Sequence, residues 1–200
     1  ASLADLQRLS GAGTVCGGCL NRLPLFLNQP PQARLCRIES QPLARGSQRL
    51  ILRPIEPGPL PPWRAGEHLL VEALIAGRWV GRSYTLTGGD SDHYELGVKR
   101  EPGGLLSNWL AEADSSALVR ISAPQGQLLP DPTDPRPLLL LVAGIGVTPA
   151  IAALRRLAGR RTLAVAYTYR GEEAAAYLAE LRAAAASGAI QLLEHDSSRH

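Results

Sequence analysis

The chain has 200 residues, is 45% hydrophobic and carries a formal net charge of +3. That length supports one large or two small domains with real cores, and 20 glycines with 16 prolines suit a turn-rich, partly β protein rather than a helical bundle. The arginines are spread rather than clustered and the longest apolar run is Leu138 to Ala143, so neither a nucleic-acid partner nor a membrane span is expected. No basic stretch followed by an apolar one opens the chain, which reads as a cytoplasmic protein. It contains no methionine and begins at Ala1, and is therefore expected to be a fragment of a larger protein.

Residues 1–29 read as a short helical segment around Leu3, Leu6 and Leu9, followed by a glycine-cysteine loop, Gly11 to Cys19. Pro30-Pro31 separates this segment from the rest of the chain. Over 33–129 the pattern changes to short strands with turn signals, among them Arg49–Pro54, His68–Ala73, Tyr94–Lys99 and Leu118–Ser122. Strands so spaced predict an antiparallel barrel or sandwich. A helix is expected from Ser107 to Ala113, and a proline-rich break runs from Pro130 to Pro137. Over 137–200 strands alternate with helices: strands at Leu138–Ala143, Leu163–Tyr167 and Ile190–Glu194, helices at Thr148–Leu157 and Glu172–Ala186. That alternation predicts a parallel sheet, with Ala174, Leu178, Leu181 and Ala185 on the inner face of the second helix.

Three motifs in order carry the chemistry. Arg82-Ser83-Tyr84-Thr85 supplies a planar fork of donors suited to pyrophosphate, a flat ring with a polar tip, and a hydroxyl that both donates and accepts. Gly103-Gly104-Leu105-Leu106-Ser107 lets the backbone approach a phosphate at a helix start, with Ser107 as a cap or a further hydroxyl. Ala143-Gly144-Ile145-Gly146-Val147-Thr148-Pro149 places a glycine pair between an apolar strand and a helix that Thr148 can cap, the context in which glycines mean dinucleotide binding. Each motif taken alone is equally a half-exposed strand, a capped loop or a turn.

The ordered set resembles the ferredoxin–NADP reductase superfamily, in its bacterial FAD oxidoreductase branch, over roughly residues 33–200. That family carries an Arg-x-Tyr-Ser/Thr motif, then Gly-x-x-Ser/Thr at a helix start, then a Gly-x-Gly-Ile/Val-x-Pro turn. Here Pro149 stands where a classical dehydrogenase has its third glycine. The resemblance implies a six-stranded antiparallel FAD-binding barrel over 33–129 and a C-terminally truncated NAD(P)-binding domain over 137–200. It implies Arg82 on the FAD pyrophosphate, Tyr84 against the flavin, the Thr85 hydroxyl near flavin N5, and Ser83 among the cofactor-binding residues. Gly104 to Ser107 would surround the pyrophosphate, Gly103 would also bind the cofactor, and Val98, Lys99 and Arg100 would flank it. Gly144, Gly146 and Thr148 would receive NADP or NAD, with Arg170 on the adenosine phosphate. Ser197, Ser198 and Arg199 resemble the Ser-Arg pair of NADP-preferring relatives, and equally a frayed polar terminus. The family's later Cys-Gly-x-x-x-Met segment and terminal aromatic are absent from this sequence.

Gly11 to Cys19 resembles the second half of a bacterioferritin-associated-ferredoxin-like [2Fe-2S] domain, whose soft thiolates suit iron. Cys16 and Cys19 would be two of its ligands. A lone Cys-x-x-Cys also fits half a zinc site or a redox dithiol, and the upstream pair is missing, so a cluster is expected in the intact parent only. The function expected is an FAD-dependent oxidoreductase module that takes electrons from a nicotinamide dinucleotide. It would pass them to an iron–sulfur centre or partner reductase of the nitrate or nitrite reductase kind. The alternative is an iron–sulfur carrier or scaffold whose barrel only binds a partner.

Overall fold

The computed structural model describes residues 33–198. Six strands, β1 (Arg34–Ala44), β2 (Ser47–Pro54), β3 (His68–Ile75), β4 (Arg78–Gly89), β5 (Tyr94–Lys99) and β6 (Leu118–Ile121), close into an antiparallel barrel of order β1-β2-β5-β4-β3-β6. A helix, α1 (Leu105–Glu112), comes after β5. Three parallel strands, β7 (Leu138–Ala143), β8 (Leu163–Tyr169) and β9 (Gln191–Asp196), form the second unit in that order, joined through α2 (Thr148–Leu157) and α3 (Leu178–Ala186). This is the barrel and parallel sheet that the sequence predicts. No helix among the described residues is long and apolar enough to cross a membrane.

Alternation decides what the barrel buries. Along β5, Tyr94, Leu96 and Val98 point inward and are essentially inaccessible, which turns Glu95, Gly97 and Lys99 outward. The inward set joins Ile38, Leu50, Leu52, Leu69, Val71 and Leu86 in one core. Cys36 belongs to that core, and burial pushes its thiol up to about 12, so it serves there as a small apolar group.

Two helices and one helix cap differ from the sequence expectation. The helix after Gly103-Gly104 begins at Leu105, with Gly104 as its N-cap, so Ser107 sits inside its first turn. The expected helix over 172–186 is instead a 3-10 turn, Glu172–Ala174, and a separate α3, because Tyr177 adopts a left-handed backbone with φ 60 between them. Thr148 is helical, and its hydroxyl donates to the Ile145 carbonyl, 3.2 Å away, rather than capping the amides; a 3-10 turn, Gly144–Val147, runs straight into α2.

Charged contacts fasten the sheet to the barrel. Arg155 on α2 reaches Glu95 on β5 (Nη1 to Oε2, 2.8 Å) and the Thr87 carbonyl on β4 (3.2 Å), while its other edge pairs with Glu180 on α3. Arg49 on β2 holds the same Glu95 (Nε to Oε2, 3.1 Å). Arg156 stacks over Trp63, 4.2 Å from the ring centroid, and donates to the Gly89 carbonyl. Burial of Glu95 alone would raise its pKa, but the hydrogen bonds and charges of Arg49 and Arg155 outweigh it and hold the carboxyl below its ordinary 4.5. A carboxyl lowered in this way stabilises the fold above its unfolded pKa, and the contribution is lost as pH falls through the folded value. The melting temperature should therefore drop steeply as pH is taken from 5 downward, and Glu95→Gln should flatten that slope; a profile unchanged by the substitution would contradict this role.

Candidate cofactor site

The barrel is not sealed along β4. Residues Leu86 to Gly89 pair with β5, but Arg82 to Thr85 pair only with β3, so the two strands part at this end. Alternation sets Tyr84 beside Leu69, on the core side, and Thr85 beside His68, on the other; at the open end the strand presents both faces. The gap is a cleft of about 540 Å³, and three separate stretches line it. Arg82, Ser83, Tyr84 and Thr85 form one wall; Gly103, Gly104, Leu105, Leu106 and Ser107 a second; Ile145, Gly146 and Thr148 close it from the sheet side. Gly97, Lys99 and Glu101 complete the lining.

Each wall has its own chemistry. The Arg82 guanidinium donates through Nη1 to the Gly81 carbonyl at 2.8 Å, which leaves the rest of its fork for an anion. The Tyr84 ring packs on the barrel core, and burial, only partly offset by Arg82, pushes its phenol up to about 12, so it stays a protonated donor at neutral pH. In the second wall, Asn108 makes the first helical hydrogen bond, to the Gly104 carbonyl at 3.1 Å. The amides of Leu105, Leu106 and Ser107 precede it and have no partner within the helix. Gly103 has φ 73, a conformation that favours glycine, and stands in open space. At Gly104 a Cβ would fall 2.4 Å from Ser107 Oγ, so only glycine lets that hydroxyl turn back on the loop, where it accepts from the Glu101 amide at 3.3 Å. On the sheet side Gly144 has φ 52, and no atom lies within 4 Å of a Cβ built on Gly146. The turn therefore offers bare backbone to an incoming group.

These features fit a flavin dinucleotide: a free arginine fork and orphaned helix amides for a pyrophosphate, a flat ring and a hydroxyl for a tricyclic system, and a glycine turn opposite for a second nucleotide. Among the residues expected here, the cleft gathers Arg82 to Thr85, Lys99, Gly103 to Ser107, Gly146 and Thr148. Val98 is not one of its walls: its side chain is 1% exposed and packs in the barrel core, because it is the inward member of the β5 alternation. Arg100 turns away to pair with Glu112. Gly144 starts the turn behind Ile145, and Arg170 is exposed just past the end of β8. Arg199 and the Cys16–Cys19 pair lie outside the described residues. Among the described residues no group of three or more His, Cys, Asp or Glu could hold a metal.

Sequence reasoning missed Gly97 and Glu101, and took Ile145 only as part of the glycine motif. The one available signal was the glycine in an otherwise bulky strand, Tyr94-Glu95-Leu96-Gly97-Val98. It also missed that His68, across from Thr85 in the β3–β4 register, has a buried Nε2 without a hydrogen-bond partner; desolvation lowers its pKa, which favours the neutral ring.

Comparison with known proteins agrees with this geometry. Residues 62–129 match the family model of the oxidoreductase FAD-binding domain. The chain is 36% identical over 113 residues to the flavohemoprotein of Deinococcus radiodurans, covering 54% of this chain and 28% of that protein. It is 38% identical over 108 residues to the NADPH oxidoreductase of Mycobacterium tuberculosis, covering 50% and 28%. Phthalate dioxygenase reductase, described as a modular structure for electron transfer from pyridine nucleotides to [2Fe-2S], superposes with a TM-score of 0.72 at 25% identity, over 84% of this chain and 53% of its own. The matched regions span little more than a quarter of the length of these two curated relatives. Residues 62–129 are thus similar in sequence to an oxidoreductase FAD-binding domain, and the fold of the chain is similar to that of phthalate dioxygenase reductase.

Proposed function

We propose that this chain is the flavin and nicotinamide module of an NAD(P)H oxidoreductase. The observation that carries the proposal is the convergence of β4, the Gly103–Ser107 loop and the Gly144–Thr148 turn, distant in sequence, on one cleft. FAD, when bound, supplies the redox chemistry: it takes two electrons and a proton as hydride from the reduced nicotinamide and releases electrons to an acceptor. The chain's own residues bind and orient. Arg82 and the amides at the start of α1 hold the pyrophosphate, Tyr84 packs along the ring system, and the Thr85 hydroxyl hydrogen-bonds the reactive nitrogen. Lys99 flanks the cofactor, while the Gly144–Gly146 turn and Thr148 bring the nicotinamide to the cleft, with Arg170 and Arg199 available for the adenosine phosphates. NADP and NAD are both accommodated by this reading. The acceptor is an iron–sulfur centre or partner reductase, and Cys16 and Cys19 would contribute half of a cluster's ligands in the full-length protein.

The test is Thr85→Val in the FAD-loaded full-length protein. The variant should hold FAD within about threefold of wild type, while flavin bleaching by NADH or NADPH slows about tenfold, the equivalent of one lost hydrogen bond. Equal bleaching rates would remove Thr85 from the reaction. A folded wild-type protein that retains no flavin absorbance through a desalting column would remove the flavin reading altogether.

A further inference from the structure

The outward face of β5 carries Glu95, Gly97 and Lys99, and these three do different things. Lys99 lines the cleft, Glu95 is clamped by Arg49 and Arg155, and Gly97 lies between them where barrel and sheet touch. A Cβ on Gly97 would lie 2.9 Å from three atoms at once: Thr148 Cγ2, Tyr177 Cε2 and Tyr177 Oη. Gly97 is not among the residues with positive φ, so the strand does not need glycine there for its backbone. It needs the space. Tyr177 reaches this point from the left-handed conformation that interrupts the helical run before α3, a costly backbone for a bulky residue and one retained where surrounding contacts enforce it. Its hydroxyl is 3.4 Å from Thr87 Oγ1, and the same Thr87 gives its carbonyl to Arg155 at the register shift in β4, two residues beyond Thr85. Thr148, the other residue pressed on Gly97, ends the turn that closes the cleft.

We propose that Gly97 is a positioning residue. The missing side chain lets Tyr177 and Thr148 seat directly on β5, and this seat sets the separation between the flavin site on the barrel and the nicotinamide site on the sheet. The proposal rests on the two-nucleotide reading of the cleft. Transfer between two bound rings depends steeply on their approach, with about a hundredfold loss for a displacement of 1 Å. A methyl group at Gly97 would open the seam by less than that, and the atoms nearest to it belong to Thr148 and Tyr177 rather than to Arg82, Thr85 or the Gly103–Ser107 loop.

The experiment uses Gly97→Ala in the full-length, FAD-loaded protein, with NADH and NADPH as probes. Expected are FAD affinity and nucleotide KM within about threefold of wild type, at least a roughly tenfold fall in flavin bleaching at saturating nucleotide, and a crystal structure in which the Thr148 turn has moved off β5. Unchanged bleaching overturns the proposal. So does a parallel loss of FAD, because a spacer acts between the two sites and not on one. The triple variant Gly97→Ala/Thr148→Ser/Tyr177→Ala removes both groups the methyl would meet while keeping the Thr148 hydroxyl, and keeps the test open if the single variant does not fold. Against Thr148→Ser/Tyr177→Ala alone it should lose no more than about threefold, and a tenfold loss would show that the methyl acts by another route. A wild-type protein that holds FAD yet is bleached by neither nucleotide fails at the underlying functional reading, and the spacer role falls with it.

Discussion

Replacing Glu95 with alanine should be among the most destabilising single changes in this chain, costing about 3 kcal/mol. Glu95 is 7% exposed and is the common partner of Arg49 and Arg155. Its removal leaves two guanidinium groups facing an emptied space, and breaking a buried pair from one side costs about 3–5 kcal/mol. The lower end applies because the side chains of Arg49 and Arg155 keep 33% and 25% of their surface in solvent. For a chain of this size the change corresponds to a melting temperature lower by about 6–12 °C. Gln at the same position keeps the shape and two polar atoms and should lose less. Urea unfolding of the two variants would check this, and equal midpoints for Glu95→Ala and wild type would mean that the network adds nothing net. The effect should also reach the site, because Arg155 contacts the carbonyl of Thr87, two residues from Thr85 on the same strand.

Arg82→Ala should weaken FAD binding about ten- to a hundredfold while leaving the fold intact. Arg82 is exposed, and its guanidinium donates to the carbonyl of its own neighbour Gly81, so its loss leaves no buried partner stranded. A charge-assisted hydrogen bond to phosphate contributes about 1.5–3 kcal/mol, and about 1.4 kcal/mol is a factor of ten in affinity. Arg82→Lys should fall between, since an ammonium keeps the charge but not the planar fork. Fluorescence titration with FAD measures the series; equal affinities across the three proteins would place the pyrophosphate elsewhere.

The two predictions draw on features of different legibility. Arg82 was readable because its neighbours Tyr84 and Thr85, and the glycine loops further along the chain, form an ordered set of short, local motifs. Local motifs survive in the linear text since each loop supplies its own backbone conformation: Gly103 at φ 73 and Gly144 at φ 52 act within one turn. The barrel and the sheet were readable for a similar reason, the two-residue period of strands such as β5 and the alternation of strand with helix after Pro137.

Glu95, Gly97 and Tyr177 carried no such mark. A glutamate in a half-exposed strand reads as solvated, and only the docking of α2 turns it into a buried ion-pair partner. Nor does a glycine in a strand reveal which side chain fills its vacancy; here Tyr177 does, from a distant part of the chain. The left-handed backbone at Tyr177 likewise breaks a helix whose Ala-rich sequence would otherwise run on from Glu172. The sequence by itself determined most of the elements, their class and the order of the three motifs that meet in the cleft, because propensity, periodicity and turn chemistry act over a few residues. Only the tertiary structure decided how the two halves face each other across the cleft, because that depends on burial and close contact between residues the chain order keeps apart.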